Sequence, residues 1–203
     1  MFDWLLPEDH AISVIKSDHE RLKGLFTDFE NAENATVRKK AVSDALTTLK
    51  LHAAMEEEIF YPAVRPHVGV EMMNEADEEH HVARLLIAEI EAGAADEGHL
   101  RAKFAVLTES VRHHIDEEEQ QVLPKAQEMK IDFEALGRQM IARRGELMRT
   151  GIPEDAEHTM VEKTGKKADT PAKRSVAATK RKRAPARRKA AAGSTASKRR
   201  ARR

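Results

Sequence analysis

The chain has 203 residues, of which 40% are hydrophobic, with one Trp, one Tyr, six Phe and no cysteine. The lack of cysteine excludes a disulfide scaffold, a thiolate metal site and a cysteine nucleophile, and it fits a reducing compartment such as the cytoplasm. The formal net charge of zero divides into −15 for residues 1–157 and +15 for residues 158–203, so an acidic body carries a basic tail.

Four amphipathic helices are predicted in the acidic body. Their apolar residues recur in steps of three and four, the spacing of a helix face that packs inside a bundle. The first helix starts at a cap formed by Asp9, the second starts near Thr36, the third ends near Gly93, and the fourth extends to Val122. Because the connections are short, neighbouring helices must be antiparallel, so we predict an all-α, up-down-up-down four-helix bundle.

A shorter fifth helix, over residues 132–149, is predicted to pack outside the four. Gly151 and Pro153 follow it, and both residues disfavour helix continuation. We therefore predict one helical domain over residues 1–150 and a disordered tail over residues 151–203. The start of the chain is too acidic and too poor in apolar residues for a secretory signal, and no run approaches the length of a membrane span.

Six polar residues interrupt the apolar faces of the four helices. They are His19, His52, Glu56, His80, His114 and Glu118. The His-x-x-x-Glu pair of the second helix recurs in the fourth helix, and the histidine of the first helix recurs in the third at nearly the same interval. Residues four apart lie on one face of a helix. The body therefore reads as two copies of one helical hairpin, each contributing a histidine and a His-x-x-x-Glu pair.

These inward positions predict a metal centre. Burying two unpaired carboxylates costs several kcal/mol each unless a cation compensates, and no Lys or Arg lies near them on the inward faces. Imidazole and carboxylate ligands without thiolate suit iron, with manganese or zinc as less favoured alternatives. We predict two metal ions with open positions for a small ligand; a purely structural His/Glu network is the competing interpretation.

Over residues 10–130 this pattern resembles the hemerythrin-like, or HHE cation-binding, domain family. The family order of His, His-x-x-x-Glu, His and His-x-x-x-Glu matches all six positions, and Phe60-Tyr61-Pro62 and Leu123-Pro124 also fit. The resemblance implies a four-helix bundle that holds a non-haem diiron centre. It also implies that Glu56 and Glu118 bridge the two irons.

The resemblance also shows a departure. Oxygen-carrying members place a further histidine one turn before the third-helix ligand and use Asp as the second bridge, whereas this chain has Ala76 and Glu118. One iron is then a ligand short unless Asp77, Glu79 or His81 supplies it. This departure favours a sensing, iron-handling or redox role over oxygen carriage.

Adjacent histidines leave two alternative registers. His81 can replace His80, and His113 with Glu117 has the same spacing as His114 with Glu118. Only His80 and His114 keep the steps of three and four, so we predict that His81 lies beside the site and that His113 faces solvent. The remaining histidines, which we expect at the surface, are His10, His67, His99 and His158.

The tail is rich in Lys, Arg and Ala and resembles the basic tails of linker histones in composition only. Such a segment cannot bury a core and is predicted to be disordered. We expect it to bind duplex DNA through phosphates without sequence preference, since aromatic residues for stacking on single strands are missing. A tail that rests on the acidic body is the alternative. The candidate contacts are Lys180, Arg181, Lys182, Arg183, Arg187, Arg188, Lys189, Lys198, Arg199 and Arg200.

Three functions fit these features. The first is a diiron protein that binds or senses oxygen, peroxide, nitric oxide or iron in the cytoplasm, tethered to the nucleoid by its tail. The second is a diiron oxidoreductase that reduces peroxide or oxidises ferrous iron. The third is an interaction protein in which the metal only stabilises the bundle and the tail supplies the function. Because no nucleophile–base pair or glycine-rich phosphate loop occurs, we favour binding or sensing over catalysis.

Overall fold

The computed structural model of the chain describes residues 6–93 and 97–168, with side chains as far as residue 163. These residues form helices and connecting turns, and no strand occurs among them. The α-helices are α1 (Ala11–Glu30), α2 (Ala35–Met55), α3 (Tyr61–Val68), α4 (Val70–Glu91), α5 (Glu97–Glu117), α6 (Leu123–Gln127), α7 (Phe133–Thr150) and α8 (Ala156–Ala168). Two π-helical segments, Glu56–Phe60 and Glu118–Val122, join α2 to α3 and α5 to α6.

The predicted bundle is confirmed. Its four rods are α1, the continuous α2–α3, α4, and the continuous α5–α6. Helix α1 packs along α2, α4 packs along α5, and further contacts of α1 with α5 and of α2 with α4 close the bundle. Among the described residues, every helix is either too short or too polar to cross a bilayer.

Each π-helical segment begins at one of the two glutamates of the repeated motif, where the sequence predicts regular α-helix. In the first segment the Tyr61 N–H donates to the carbonyl of Glu56, five residues back, and the second segment repeats this geometry. Pro62 and Pro124 are the second residues after the two segments, and proline lacks the N–H that α-helical bonding requires. Such π-bulges occur frequently at functional sites.

Two apolar clusters fill the bundle, one on each side of a polar layer. Ile15 and Met73 belong to the first cluster, and Leu22 and Phe104 belong to the second. Each fully buried side chain of this kind stabilises the fold by about 1.5–3 kcal/mol. Along α1, His19 lies between Ile15 and Leu22. Apolar packing therefore closes the polar layer at both ends along the bundle axis.

The predicted fifth helix is α7, which packs against α1 and α2 on the outside of the bundle. Met140 and Leu147 are buried in this contact. Gly137 lies against the start of α1, where a Cβ atom would come within 2.0 Å of the carbonyl oxygen of Asp9. Only glycine allows so close an approach of two backbones.

A further helix, α8, lies beyond residue 150, where the sequence pattern predicts that the folded domain ends. Gly151 caps α7 as expected, but a new helix begins at Ala156 and packs against α4. Its buried residue is Glu157, which accepts hydrogen bonds from His81 and Arg84. Because this buried contact is made by a charged residue, a search for inward apolar residues does not indicate that α8 packs on the bundle.

Two histidines expected at the surface have structural roles. His10, rather than Asp9, caps α1, because its Nδ1 accepts the backbone N–H two residues further on at 3.3 Å. Asp9 instead forms an ion pair with Arg138, 3.1 Å away. His158 is hydrogen-bonded to carboxylates at the start of α8 and on α4, each at 2.6 Å, and fastens α8 to the bundle.

Candidate metal centre

Four histidine rings, one from each rod, and two glutamates meet in the polar layer. They are His19, His52, His80, His114, Glu56 and Glu118, and all six are buried. Nε2 of His19 lies 3.2 Å from Oε2 of Glu118, and Nε2 of His52 lies 3.1 Å from Oε1 of Glu56. The structure therefore brings together all six residues that the sequence singles out.

The other ring nitrogen, Nδ1, of each histidine faces a second carboxylate outside the layer. The pairs are His19–Glu119 (2.9 Å), His52–Asp18 (3.4 Å), His80–Glu57 (2.8 Å) and His114–Glu79 (2.7 Å). An ionised carboxylate only accepts hydrogen bonds, so the neutral forms of His19, His80 and His114 carry their proton on Nδ1 and keep a lone pair on Nε2. The His52–Asp18 pair makes no hydrogen bond. Outer carboxylates hold metal-binding histidines in this tautomer and orientation.

The ligand-type atoms form two groups that share a residue. His19, His52, Glu56 and Glu118 make up the first group, and Glu56, His80 and His114 the second. Within each group the atoms lie within 4.8 Å of one another. Oε1 of Glu56 faces the first group and Oε2 lies 3.3 Å from His80 in the second, so this carboxylate can serve two ions.

Tyr61 completes the second group. Its side chain is 1% exposed, and its hydroxyl lies 3.4 Å from Oε2 of Glu56 and 3.5 Å from Nε2 of both His80 and His114. One hydroxyl donates one hydrogen bond at a time. It therefore leaves two of these three acceptors unsatisfied.

The polar atoms of the layer do not satisfy one another's hydrogen-bonding needs, and a pair of cations would satisfy them better. Nε2 of His80 and Nε2 of His114 are 3.2 Å apart, although both protons are on Nδ1, so two lone pairs face each other. An unsatisfied buried polar group costs about 1–3 kcal/mol. Atoms that lack a hydrogen-bond partner are both ring nitrogens of His52, Nε2 of His19, Oε1 of Glu56 and both oxygens of Glu118.

The pKa values of several buried groups in the metal-free layer are strongly shifted. Burial lowers the pKa of His52 to about 4. Burial also opposes charge on His19, but contacts with Glu118 and Glu119 outweigh it and raise the pKa to about 9. Burial, reinforced by the Glu118 charge, raises the pKa of Glu56 well above its usual value. Near neutral pH His19 therefore holds an additional proton, which metal binding must displace.

Of the three further candidates from the sequence, Asp77 and His81 lie outside both groups, and Glu79 contacts Nδ1 of His114 as an outer carboxylate. Asp77 is exposed and accepts two hydrogen bonds from Arg65, at 2.7 and 2.9 Å. His81 is turned about 100° around α4 from the residue before it, and its Nδ1 lies 2.6 Å from Glu157. His113 is 66% exposed, as the sequence suggests.

Tyr61 and three of the four outer carboxylates, Asp18, Glu57 and Glu119, are site residues that the sequence pattern does not single out. Glu57 and Glu119 lie in runs of consecutive acidic residues, which are typical of a solvated surface. The interval between them is nevertheless the interval of the repeated His-x-x-x-Glu motif, and Asp18 and Glu79 are separated by the interval of the two remaining histidines. That repeat was the available signal for the carboxylates, whereas Tyr61 has no counterpart because a leucine stands at the equivalent position of the second copy.

Two cavities reach the layer from different sides. A cavity of about 240 Å³ touches His52, His80 and His114, has largely apolar walls, and is bordered by the residues that connect α7 to α8. A second cavity of about 40 Å³ lies beside Ala76 and touches His114 and Glu118. The smaller cavity has room for more than one water molecule.

Comparisons with known proteins agree with this architecture. A family model described as the hemerythrin HHE cation-binding domain matches residues 10–126. A crystal structure of a hemerythrin HHE cation-binding domain-containing protein from Mycobacterium kansasii is similar to this chain, with a TM-score of 0.58 and 26% sequence identity. The likeness covers 74% of this chain and 98% of that protein.

Two curated relatives match about half of the chain. A protein of Nostoc sp. named DNA nickase is 26% identical over 106 residues, which cover 52% of this chain and 30% of the relative. An uncharacterized hemerythrin-like protein of Schizosaccharomyces pombe is 25% identical over 114 residues, covering 55% of this chain and 56% of the relative. The matched regions thus span less than two thirds of either relative.

Proposed function

This chain belongs to the hemerythrin HHE cation-binding domain family, and from that premise we propose that it is a non-haem diiron protein that binds or senses oxygen, peroxide, nitric oxide or iron. The strongest support is the set of buried nitrogen and oxygen atoms without hydrogen-bond partners in the polar layer. Metal ions would satisfy these atoms together, except for Nδ1 of His52, which faces Asp18 outside the layer. The donor set of imidazole and carboxylate suits iron.

The six residues would divide between two ions. His19 and His52 would hold one ion and His80 and His114 the other, with Glu56 and Glu118 shared between them. The outer carboxylates would fix the four rings and make them stronger donors. When bound, the ions supply a redox-active centre with open positions for a small ligand, while manganese or zinc in the same residues would support ligand binding or structure only.

Tyr61 is the residue we propose as the further donor to the second ion. In the metal-free protein burial raises the pKa of its hydroxyl well above the usual value, with the Glu118 and Glu56 charges adding to the effect. A bound cation would reverse this balance, because it stabilises the phenolate at the same position.

Replacing Tyr61 with phenylalanine is expected to weaken binding of the second ion by at least about 10–100-fold, the cost of losing an outer partner, while leaving the first in place. Phenylalanine keeps the ring volume, so the fold is expected to survive. Since Tyr61 is the only tyrosine in the chain, any visible absorption band from a phenolate–iron bond must arise from it. Iron content after dialysis against a weak chelator and the visible spectrum are the measurements; two retained ions and an unchanged spectrum in the variant would refute the assignment.

Reversible oxygen carriage is not the expected activity. Ala76 stands where oxygen carriers in the family have a further histidine, and the cavity beside it leaves one side of the centre open to water. We expect the reduced protein to oxidise irreversibly in air, whereas Ala76→His should shift it toward reversible binding. The spectrum after oxygen exposure, recorded before and after evacuation, tests this; a wild-type oxygenated spectrum that reverses under vacuum would contradict it.

The larger cavity is the proposed route for the small ligand. Its walls include Leu49, Ala53, Ile87 and Val111, and its floor is formed by the ligand-type histidines. Apolar walls favour neutral molecules such as oxygen, nitric oxide and hydrogen peroxide over hydrated anions. The volume of about 240 Å³ lies below the range of about 300–1,000 Å³ that is typical of sites for drug-sized organic ligands.

We further propose that the basic tail tethers this domain to duplex DNA in the cytoplasm. The predicted contact residues, from Lys180 to Arg200, lie outside the described residues, so this part of the proposal depends on charge. Residues 158–203 carry 17 Lys or Arg and only 2 Asp or Glu, and such density attracts polyanions. A relative named DNA nickase shares about half of the chain, which gives partial support.

A second candidate is a diiron oxidoreductase. The observation that favours it is the cavity beside the centre, which can admit peroxide next to the candidate ligands His80 and His114. Peroxide reduction or ferrous iron oxidation near DNA would protect it from radical damage. Turnover of peroxide by the iron-loaded protein, compared with the metal-free protein, separates this function from binding alone.

A further inference from the structure

The outer carboxylates differ in one respect that the internal repeat does not explain. Three of the four contact a lysine or arginine as well as their histidine. These pairs are Asp18–Arg144, Glu57–Arg84 and Glu119–Lys23. The fourth, Glu79, contacts only His114 and His113 among the described residues. At the other three carboxylates a Lys or Arg side chain neutralises the charge. At Glu79 the neighbouring side chain is instead His113, which is a potential metal ligand.

Glu79, His113 and Glu117 form a group of their own on the surface of the bundle. Nε2 of His113 lies 4.0 Å from Oε1 of Glu79 and 3.6 Å from Oε1 of Glu117. The three ligand atoms lie within 4.8 Å of one another. One imidazole with two carboxylates suits a divalent ion such as manganese, ferrous iron or zinc, with water in the remaining positions.

This surface group stands beside the small cavity next to Ala76. Glu75, Glu79 and Glu117 line the cavity, Glu118 lies among its inner residues, and no Lys or Arg is among the described residues that line it. Glu118 is 1% exposed, and both of its oxygens lack a hydrogen-bond partner. The cavity thus connects a surface ligand group to an unsatisfied carboxylate of the candidate centre.

The size of Ala76 keeps this connection open. Ala76 is buried on α4 and borders the cavity of about 40 Å³ together with Glu79 and His114. A larger side chain at this position would fill the space above Glu118. A cleft lined by several carboxylates and by no Lys or Arg among the described residues raises the local concentration of cations and their rate of entry.

We propose that Glu79, His113 and Glu117 form an outer divalent-cation site from which metal ions are loaded through the Ala76 cavity into the centre. The loading step rests on the proposed function, because the centre must bind the metal ions that are delivered to it. The outer site itself has separate ligands. Glu79 joins the two, because one carboxylate oxygen faces His113 while the other holds Nδ1 of His114 at 2.7 Å.

The double variant His113→Gln, Glu117→Gln tests the outer site and leaves Glu79 and every candidate ligand of the centre in place. The matched control is His67→Gln, Glu71→Gln, which makes the same two changes at exposed positions on α3 and α4. The first measurement is Mn²⁺ binding to iron-loaded protein by electron paramagnetic resonance. The second is the rate at which metal-free protein takes up Fe²⁺ without oxygen.

The wild type and the control are expected to bind one Mn²⁺ beyond the centre, and the double variant is expected to lose it. Fe²⁺ uptake by the variant should be slower by about tenfold or more, while its final iron content equals that of the wild type. Equal Mn²⁺ binding and equal uptake rates in the variant and the wild type would overturn the proposal. If no protein takes up iron, the proposed function fails, yet Mn²⁺ bound by wild type and lost in the variant still supports the outer site.

Discussion

Replacing His52 or Glu118 with alanine is expected to remove most of the metal from the protein. Each residue supplies a buried atom that lacks a hydrogen-bond partner, and each belongs to the group that also contains His19 and Glu56. Loss of an outer carboxylate alone costs about 10–100-fold in metal affinity, and loss of a direct ligand should cost more. Metal analysis after gel filtration measures the effect.

The same variants should also lose the stability that metal confers. An ion that binds only the folded state at 100 times its Kd stabilises it by about 2.7 kcal/mol. At about 2–4 °C per kcal/mol for a domain of this size, the wild-type Tm should fall by roughly 5–10 °C when a chelator is added. The Tm of His52→Ala should not respond to the chelator.

His67→Ala is the control for both measurements. His67 is exposed on α3, takes part in neither ligand group, and its replacement should leave metal content and Tm unchanged. Full metal occupancy in His52→Ala and Glu118→Ala would mean that the polar layer is not the metal centre.

Deletion of the residues after Ala168 is expected to abolish DNA binding while leaving metal content intact. The removed segment contains the ten candidate phosphate contacts between Lys180 and Arg200. Cutting after α8, rather than at Gly151, preserves the buried contact of Glu157 with Arg84, which in turn contacts the outer carboxylate Glu57. Binding is measured on two unrelated duplexes over a range of salt concentrations.

Binding by the full chain should fall steeply with salt and vary little with sequence. Each neutralised phosphate contributes about −0.9 to the slope of log affinity against log salt, so 6–10 contacts lose about 10³–10⁵ in affinity between 50 and 200 mM salt. The isolated tail should bind more tightly than the full chain, because residues 1–157 carry a charge of −15. Salt-insensitive binding, or binding retained after the deletion, would contradict the tether.

Sequence periodicity predicted the bundle and the six inward polar residues because both depend on one repeated spacing. His19 and His80 are buried at the positions where the steps of three and four require an inward residue. The internal repeat shows that the body contains two copies of one helical hairpin. Residues far apart in sequence, such as His52 and His114, therefore occupy equivalent positions and could be assigned to one layer.

Features that depend on contacts between helices were not predicted. Helix α8 is held by ion pairs such as Arg84–Glu157. Charged residues are expected at the surface, so the sequence does not indicate that this side of the helix is buried. Tyr61 enters the layer after a π-helical segment, which a regular α-helical register does not anticipate. The outer carboxylates, Glu57 among them, lie in acidic runs that look like solvated surface until the facing helix is in place.

Iron content and absorption spectra of full-length protein purified without oxygen test the central claim most directly. We expect two irons per chain, with no visible band while the irons are reduced and diiron-oxo bands after exposure to air. The spectrum should be lost together with the metal in Glu118→Ala. A wild-type protein that folds and holds neither iron nor another transition metal would contradict the account, because the unsatisfied atoms of the polar layer would then need another partner.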